Sequence, residues 1–308
     1  MKRALWSLPI VILMVAIVGG AQSGATRTVQ AQTPQTPAIE IHRVQKAEFA
    51  PAKADGRPIF ILALGSDGRP GVCMPIEKCR ADSIHLIGIN AQEGAATILG
   101  FPRDSYVDVP GAGTRRINEG LFYGGPELMV DTVESITGIS IDYYMLTSFA
   151  GLKSLVNGVG GIQIEILYPM NDAASGSNFE PGRQKLDGGQ ALAFTRDRHS
   201  APIGDFGRSE NQGRLMVAAL EKLRKQLDRR PAALLEWVQV GVQHIDTDLS
   251  LREVFDLALA VSQIEADEVL NLVVPGGTGS AGGASVVFIS SAAEEIYVDL
   301  ADDGILQG

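Results

Sequence analysis

Cysteine and histidine are scarce in this chain, and their scarcity narrows the chemistry at once. Two Cys and four His occur in 308 residues. Both cysteines, Cys73 and Cys79, lie in VCMPIEKC, with no further Cys and no paired His nearby, which argues against a zinc-type site. In an exported chain the pair reads as a disulfide clipping a short loop, worth roughly 2 kcal/mol of loop-closure entropy. His42, His85, His199 and His244 are scattered. His85 sits inside an apolar run and reads as structural; His199 borders an Arg cluster and is a candidate for proton transfer. P-loop, His-Glu-x-x-His and Gly-x-Ser-x-Gly patterns are all missing. Gly277, Gly279 and Gly282 imitate a dinucleotide fingerprint, but the following Ala284 to Ser290 reads as a strand where a helix is required, so a hairpin loop is expected. No internal repeat is visible.

Cations are nearly missing from the C-terminal part. From His244 onward Arg252 stands against twelve Asp and Glu, leaving 25 cations and 24 acids before that point. The formal net charge of -10 argues against a nucleic-acid partner. Because the acidity belongs to the tail, the middle of the chain has room for a basic pocket.

At the N-terminus, Lys2 and Arg3 precede an apolar run from Ala4 to Gly20 interrupted by Ser7 and Pro9. Its length lies between a signal-peptide core and a membrane span of about 20 residues. Residues 1–21 are therefore a signal peptide or a signal anchor. Val29-Gln30-Ala31 offers a small-residue cleavage site, whereas the basic flank and polar spacer suit an uncleaved anchor with the bulk outside. Either export route puts the remainder outside the cytoplasm. Residues 22–57, rich in Gln, Thr, Ala and Pro, read as a flexible linker.

The rest, residues 58–308, alternates apolar runs with helical patterns and predicts one α/β domain. IFILALG (Ile59 to Gly65), IHLIGIN (Ile84 to Asn90) and ATILGF (Ala96 to Phe101) read as strands, the first buried on both faces. YYMLT, IQIEI, Val269 to Val274 and Val286 to Ser290 are further strands. Helices are expected over Pro126 to Thr137, Phe149 to Val156, a stretch capped by Asp187, Arg208 to about Asp228, Pro231 to Val242 and Leu251 to Ile264.

Charged residues follow these strands. Asp67 and Arg69 come after the first run, Arg103 and Asp104 after the third, where open α/β sheets bind ligands. The stretch Thr195 to Arg214 concentrates Arg196, Arg198, Arg208 and Arg214. In an extended segment Arg196 and Arg198 would share a face; on a helix Arg208, Asn211 and Gln212 would do so. Such guanidinium density suits a multiply charged phosphate ligand, and Asp67 with Asp82 is a plausible carboxylate pair for Mg²⁺.

Taken in order, Leu64-Gly65-Ser66-Asp67-Gly68-Arg69, Arg80-Ala81-Asp82-Ser83, Phe101-Pro102-Arg103-Asp104-Ser105, Arg116-Ile117-Asn118, and Asp187-Gly188 leading to Arg196-x-Arg198 and Asp205-Phe206-Gly207-Arg208 resemble the LytR-CpsA-Psr family of bacterial envelope proteins. The resemblance runs from about Ile59 to Ala218. It implies an α/β/α sandwich around a mixed sheet, with an apolar tunnel for a lipid. The implied activity is a phosphotransferase on the extracytoplasmic face of the membrane, moving a phosphoglycosyl polymer from a polyprenyl-pyrophosphate carrier to a peptidoglycan hydroxyl. By motif position, Asp67 and Asp82 would hold Mg²⁺. Arg69, Arg103, Arg196, Arg198 and Arg208 would line the pyrophosphate pocket, Gln212 would support it, and Asp205 would orient the Arg residues or the incoming hydroxyl. Arg116 and Asn118 would contact substrate. Three features depart from the family: Asn211 where Arg is common, Arg116 where Lys is usual with Glu119 nearby, and a long Cys73 to Cys79 loop. A hydrolase using water in the same pocket, or a non-catalytic lipid-carrier binding module or envelope sensor, are the other readings of these residues.

Overall fold

A run such as IFILALG has no polar face, so it needs cover on both sides. The computed structural model describes residues 57–200 and 204–306; the expectations for residues 1–21 and for all but the last residue of the linker lie outside them. The chain opens with β1 (Ile59–Ser66), β2 (Ala81–Asn90) and β3 (Ala95–Gly100), then the hairpin β4 (Tyr106–Val109) and β5 (Gly113–Arg116). Next come α1 (Glu119–Thr137), β6 (Tyr143–Ser148) and α2 (Phe149–Gly158). The short strands β7 (Ile162–Ile166), β8 (Met170–Asp172), β9 (Ser177–Phe179) and β10 (Gly182–Leu186) lead into α3 (Gly188–Arg196). After α4 (Asp205–Leu227) and α5 (Ala233–His244) come β11 (Asp246–Thr247), α6 (Leu251–Val261) and β12 (Val269–Val273). The hairpin β13 (Gly276–Ala281) and β14 (Ala284–Ile289) precedes α7 (Ala292–Asp303).

The central sheet has the order β11-β6-β1-β2-β3-β12. It is mixed: β1 runs parallel to β6 and β3 parallel to β12, while the other neighbours are antiparallel. Residue alternation along β1 divides the core. Phe60, Leu62 and Leu64 pack with Ile84, Leu86 and Leu99 under Met129 and Val133 of α1 and Tyr297 and Leu300 of α7. Ile59 and Ile61 face the opposite side, with Leu249, Leu257 and Ile264. A further cluster joins Ile162, Ile164 and Leu186 of the β7–β10 ribbon to Phe194 of α3 and Leu215 of α4. The result is the expected α/β/α sandwich around a mixed sheet.

Local chemistry explains most boundaries. Asp187 caps α3 through a reciprocal box with Gln190. The helix expected from Pro126 is the second half of α1: Gly125, at φ 75°, breaks the helix, and Pro126 restarts it where a missing N–H costs nothing. The first half, from Glu119, was not apparent in the sequence because its Gly-rich EGLFYGG carries no apolar period. Likewise the glycine triplet at 277 to 282 forms the β13–β14 hairpin, as its strand-like continuation predicted.

Helix α4 lies across the sheet against β3 and β12, and glycine sets how close it comes. A Cβ on Gly213 would fall 1.8 Å from Asn271 Oδ1. The same Asn271 donates to the Glu210 carbonyl at 3.0 Å, pinning helix to strand. Gly213→Ala is expected to destabilise the fold by about 1–3 kcal/mol, the usual cost of overpacking a fitted contact. Denaturant unfolding of the two proteins checks this.

Candidate functional site

Strand pairing brings the two N-terminal loops together. β1 and β2 are neighbours, Gly65 lies opposite Ser83, and beyond the last rung Asp67 N donates to the Arg80 carbonyl at 2.9 Å. Asp67 Oδ1 accepts from Arg80 N at 2.9 Å, so this carboxylate is fixed beside the start of β2, where Asp82 stands. Cys73 and Cys79 form the expected disulfide. The ring it closes, residues 73–79, lies just after Arg69, which pairs with Cys73 backbone to backbone. Arg69 Nη1 donates to the Asp67 carbonyl at 3.2 Å.

The third and fourth loops are tied to the same place by backbone bonds. Ile117 N donates to Ser105 O at 2.7 Å, Asn118 N to Arg103 O at 3.2 Å and Ala81 N to Asn118 O at 3.1 Å. Arg103 forms an ion pair with Asp82 through Nη1, and its Nε lies 3.5 Å from Asp104 Oδ1. Asn118, expected among the substrate contacts, is fully buried and donates to Asp104 Oδ1 at 3.3 Å. Its placement is that of a support. Arg116 reaches Asp104 at 3.9 Å but is held more closely by Glu119, at 2.8 Å.

The Arg-rich stretch approaches from the helical side. Arg196 ends α3 rather than lying in an extended segment, so it and Arg198 do not share a face by strand alternation. Its guanidinium stacks 4.8 Å from the Phe149 ring centroid, and Arg69 lies over the same ring at 5.8 Å. Arg198 is exposed, within electrostatic range of Arg103 and Arg208. On α4, Arg208, Asn211 and Gln212 share one buried face as the spacing predicted. Arg208 pairs with Asp205 at 3.2 Å. Gln212 donates to the carbonyls of Asp82 and Thr195, both at 3.1 Å, joining β2 to α3.

Asn211 is 1% exposed and donates to Tyr168 Oη at 3.2 Å. Arg214 does not stand in for a cation here. It donates to Asn211 Oδ1 at 2.9 Å, bonds the Glu165 carbonyl and lies over Phe194. His199 pairs with Asp172 at 2.9 Å in the β8–β9 hairpin. His85 is structural: Ser83 Oγ lies 3.1 Å from Nδ1, and Nε2 lies 3.1 Å from the carbonyl of Ser209, the residue after Arg208.

Electrostatically the site is strained by its own cations. Burial pushes the Arg103 pKa down, repulsion from Arg208 and Arg198 adds to this, and Asp104 and Asp205 oppose it. Burial likewise lowers Arg208 and Arg196, with Arg69 and Arg208 as the cationic neighbours of Arg196. Asp104, a strand-exit carboxylate to which the sequence assigns no role, lies inside this cluster. Its carboxyl is raised above the ordinary range, first by burial, and the adjacent, hydrogen-bonded Asp205 adds to the rise. Burial and the neighbouring carboxylate thus favour the protonated form of Asp104.

Beside this charged cluster a cavity of about 440 Å³ runs between the sheet and the helices α2 to α5. Ala63, Ile87 and Met145 form its floor, and Leu155, Met216 and Trp237 are among the side chains covering it. Asp82, Ser83, Arg196 and Gln212 line it too, so cavity and charged cluster are continuous. The arrangement matches an amphiphile with an apolar body and a multiply anionic head.

Residues 18–298 match the model of the LytR_cpsA_psr family. The chain is 32% identical over 222 residues to the polyisoprenyl-teichoic acid–peptidoglycan teichoic acid transferase TagU of Enterococcus faecalis, covering 69% of this chain and 70% of that one. Among solved structures, gbs0355 of Streptococcus agalactiae superposes with a TM-score of 0.72 at 22% identity, covering 82% and 89% of the two chains. YwtF (TagT) of Bacillus subtilis, solved with a bound octaprenyl pyrophosphate lipid, gives 0.64 at 22% identity, covering 86% and 97%.

Burial depresses the pKa of His85 from 6.5 to about 4. Its neutral form is the folded one, so the stability it confers is complete above about pH 6.5 and is lost as pH falls towards 4, because the unfolded chain takes up the proton first. Stability is expected to fall in that window with a His85 contribution of up to about 1.4 kcal/mol per pH unit. Urea titrations from pH 4 to 7.5 check it: His85→Gln should flatten the slope.

Proposed function

Because the chain belongs to the LytR-CpsA-Psr family, we propose that it transfers a phosphoglycosyl polymer from a polyprenyl-pyrophosphate carrier to a peptidoglycan hydroxyl in cell-wall assembly. The observation that carries this reading is the continuity of the apolar cavity with the Arg103, Arg196 and Arg208 cluster through Asp82 and Gln212. A polyprenyl tail suits the cavity, and the pyrophosphate suits the guanidinium groups at its end. The activity for which the TagU relative is named and the lipid in the YwtF structure agree with that assignment.

In this reading the acceptor oxygen attacks the phosphorus next to the sugar. The bond from that phosphorus to the bridging oxygen breaks, and polyprenyl phosphate leaves. Charge accumulates on the phosphoryl and leaving oxygens; Arg103 and Arg208, fixed by carboxylate partners, and Arg196, stacked on Phe149, are positioned to meet it, and Arg198 adds positive charge from the exposed side. Arg69 closes the cluster from just before the disulfide ring. Their mutual repulsion is relieved by an anion of charge two or more, which favours a pyrophosphate over a single carboxylate. The acceptor proton passes to Asp104, whose proton affinity is raised by burial and by the neighbouring Asp205 carboxylate.

Asp67 and Asp82 are the residues that would hold Mg²⁺. Among the described residues no group of three or more His, Cys, Asp or Glu is placed to hold a metal by itself. A pair of carboxylates on adjacent strand ends fits an ion that takes one or two carboxylates and fills its shell with water and phosphate oxygens. Bound there, Mg²⁺ would supply further neutralisation of the pyrophosphate. On the same reading the protein works at the extracytoplasmic face of the membrane, through the N-terminal segment if that is retained and in secreted form if it is cleaved. No helix among the described residues is long and apolar enough to cross a membrane.

The test is the full chain in detergent with a polyprenyl-pyrophosphate glycan, Mg²⁺ and peptidoglycan strands. Labelled glycan is expected on the peptidoglycan; free glycan phosphate alone would replace transfer with hydrolysis, and binding without turnover would leave a carrier-binding module. Arg103→Ala and Arg208→Ala should each reduce transfer at least about tenfold with the fold retained, and Asp67→Asn should raise the Mg²⁺ concentration needed for half activity. Wild-type rates in both Arg variants would remove this pocket from the chemistry. Asp104→Asn should lower turnover and abolish the rise of rate with pH on the acid limb; an unchanged profile would take Asp104 out of the proton path.

A further inference from the structure

Two large aromatic side chains stand exposed beside the charged cluster. Phe122 and Tyr123 are 52% and 51% exposed, although Gly120 and Leu121 just before them are buried. Their rings meet edge to face, with centroids 5.2 Å apart and planes at 89°. The Arg115 guanidinium lies 4.1 Å from the Tyr123 ring centroid. It is held there by the Gly113 carbonyl at 3.3 Å, by the Ala112 carbonyl and by Glu119 at 3.9 Å. Glu119 also grips Arg116 at 2.8 Å, and Arg116 reaches Asp104 at 3.9 Å. An unbroken row of planar groups therefore leads from the Asp104–Asp205 pair out to two exposed rings.

We propose that this row, Arg116, Glu119, Arg115, Tyr123 and Phe122, is a glycan-binding ledge that seats the acceptor peptidoglycan strand. The inference rests on the transferase reading, since it assigns the second substrate of that site. A pyranose ring has apolar C–H faces and a rim of hydroxyls. The exposed aromatic faces match the former, and guanidinium and carboxylate edges match the latter. The groups are held by one another before any ligand arrives, so little side-chain entropy remains to be lost.

Charge selects the sugar over a membrane surface. Exposed aromatics beside Arg also suit a lipid interface, but such a patch needs unneutralised cations for lipid phosphates. Here Glu119 engages both Arg115 and Arg116, and Arg116 also reaches Asp104, so neither guanidinium is left free for a lipid phosphate. A balanced, hydrogen-bonding ledge fits a largely neutral polyol. Its inner end at Asp104 also lies where the acceptor hydroxyl must lose its proton, so a strand on the ledge would reach the reacting phosphorus from the solvent side, opposite the lipid.

Titration calorimetry of the full chain in detergent micelles with soluble, uncrosslinked peptidoglycan strands tests the proposal. Phe122→Ala and Tyr123→Ala are expected to weaken strand binding about tenfold, the scale of losing one stacked ring, and Phe122→Trp to restore it. Affinity for polyprenyl pyrophosphate should be unchanged, and in turnover the effect should fall on KM for the acceptor. Unchanged strand affinity in both alanine variants overturns the ledge, as does a wild-type protein that binds no strand. Loss of binding to anionic liposomes with strand affinity intact overturns it in favour of a membrane contact. Transfer with an unmoved acceptor KM sinks the ledge and leaves the transferase reading standing. Strand binding that depends on Phe122, without any transfer, keeps the ledge and sinks that reading.

Discussion

Crowding of positive charge in a low-dielectric place is the constraint around which this molecule is arranged. Arg103 and Arg208 are largely buried and repel one another, and burial weakens the hydration that would otherwise keep each guanidinium comfortable. Without ligand they are kept in place by carboxylates: Asp82 on Arg103, Asp205 on Arg208, and Asp104 between them. Each carboxylate serves two ends. It stabilises a cation in the resting protein, and it leaves the cluster short of enough negative charge to satisfy all its guanidinium groups, so that an incoming dianion is favoured.

The scaffold makes that crowding tolerable. Three loops that are far apart in sequence are laced by the bonds from Ile117 to Ser105, Asn118 to Arg103 and Ala81 to Asn118, which pair main-chain groups and exclude slack. From the other side α4 is pressed close by Gly213 and anchored by His85 at the residue after Arg208. Gln212 spends both amide hydrogens on Asp82 and Thr195 carbonyls, so strand, helix end and cavity wall move as one piece. A guanidinium fixed to a fraction of an ångström can act on a transition state; a mobile one offers only average attraction.

How much of this was legible in the sequence depends on the range of the signal. Strands β1 to β3 and helices α4 to α6 were visible because continuous apolar runs and a 3.6-residue period are local properties. The loops with Asp67, Asp82 and Arg103 were visible as polar residues at strand ends, and the order of their motifs gave them meaning together. What stayed hidden depends on partners distant in sequence. Asp104 looked like any strand-exit carboxylate until Asp205, a hundred residues on, was found beside it. Asn118 read as a substrate contact by motif position; its burial depends on loops brought together only by the fold. Phe149 gave a sign that went unused, an aromatic directly after the strand YYMLTS, where it supports Arg69 and Arg196 together.

Under the proposed transferase function, the division between cavity and cluster also bears on why a single site would suffice for so large a substrate. A long isoprenoid offers no directional groups, so its recognition needs area and no precision. The walls formed by α2, α3, α4 and α5 around Leu155, Leu192, Met216 and Trp237 provide that with ordinary core residues. The pyrophosphate needs the opposite, a few groups placed closely. On that reading, joining the two at Asp82, Ser83, Arg196 and Gln212 would let burial of the tail deliver the reacting phosphorus to groups that could not by themselves hold so extended a ligand. Binding energy gained remote from the reacting bond would thereby be converted into position at it. The proposed polymer beyond the sugar would then remain in solvent, and its length would not matter to the fold.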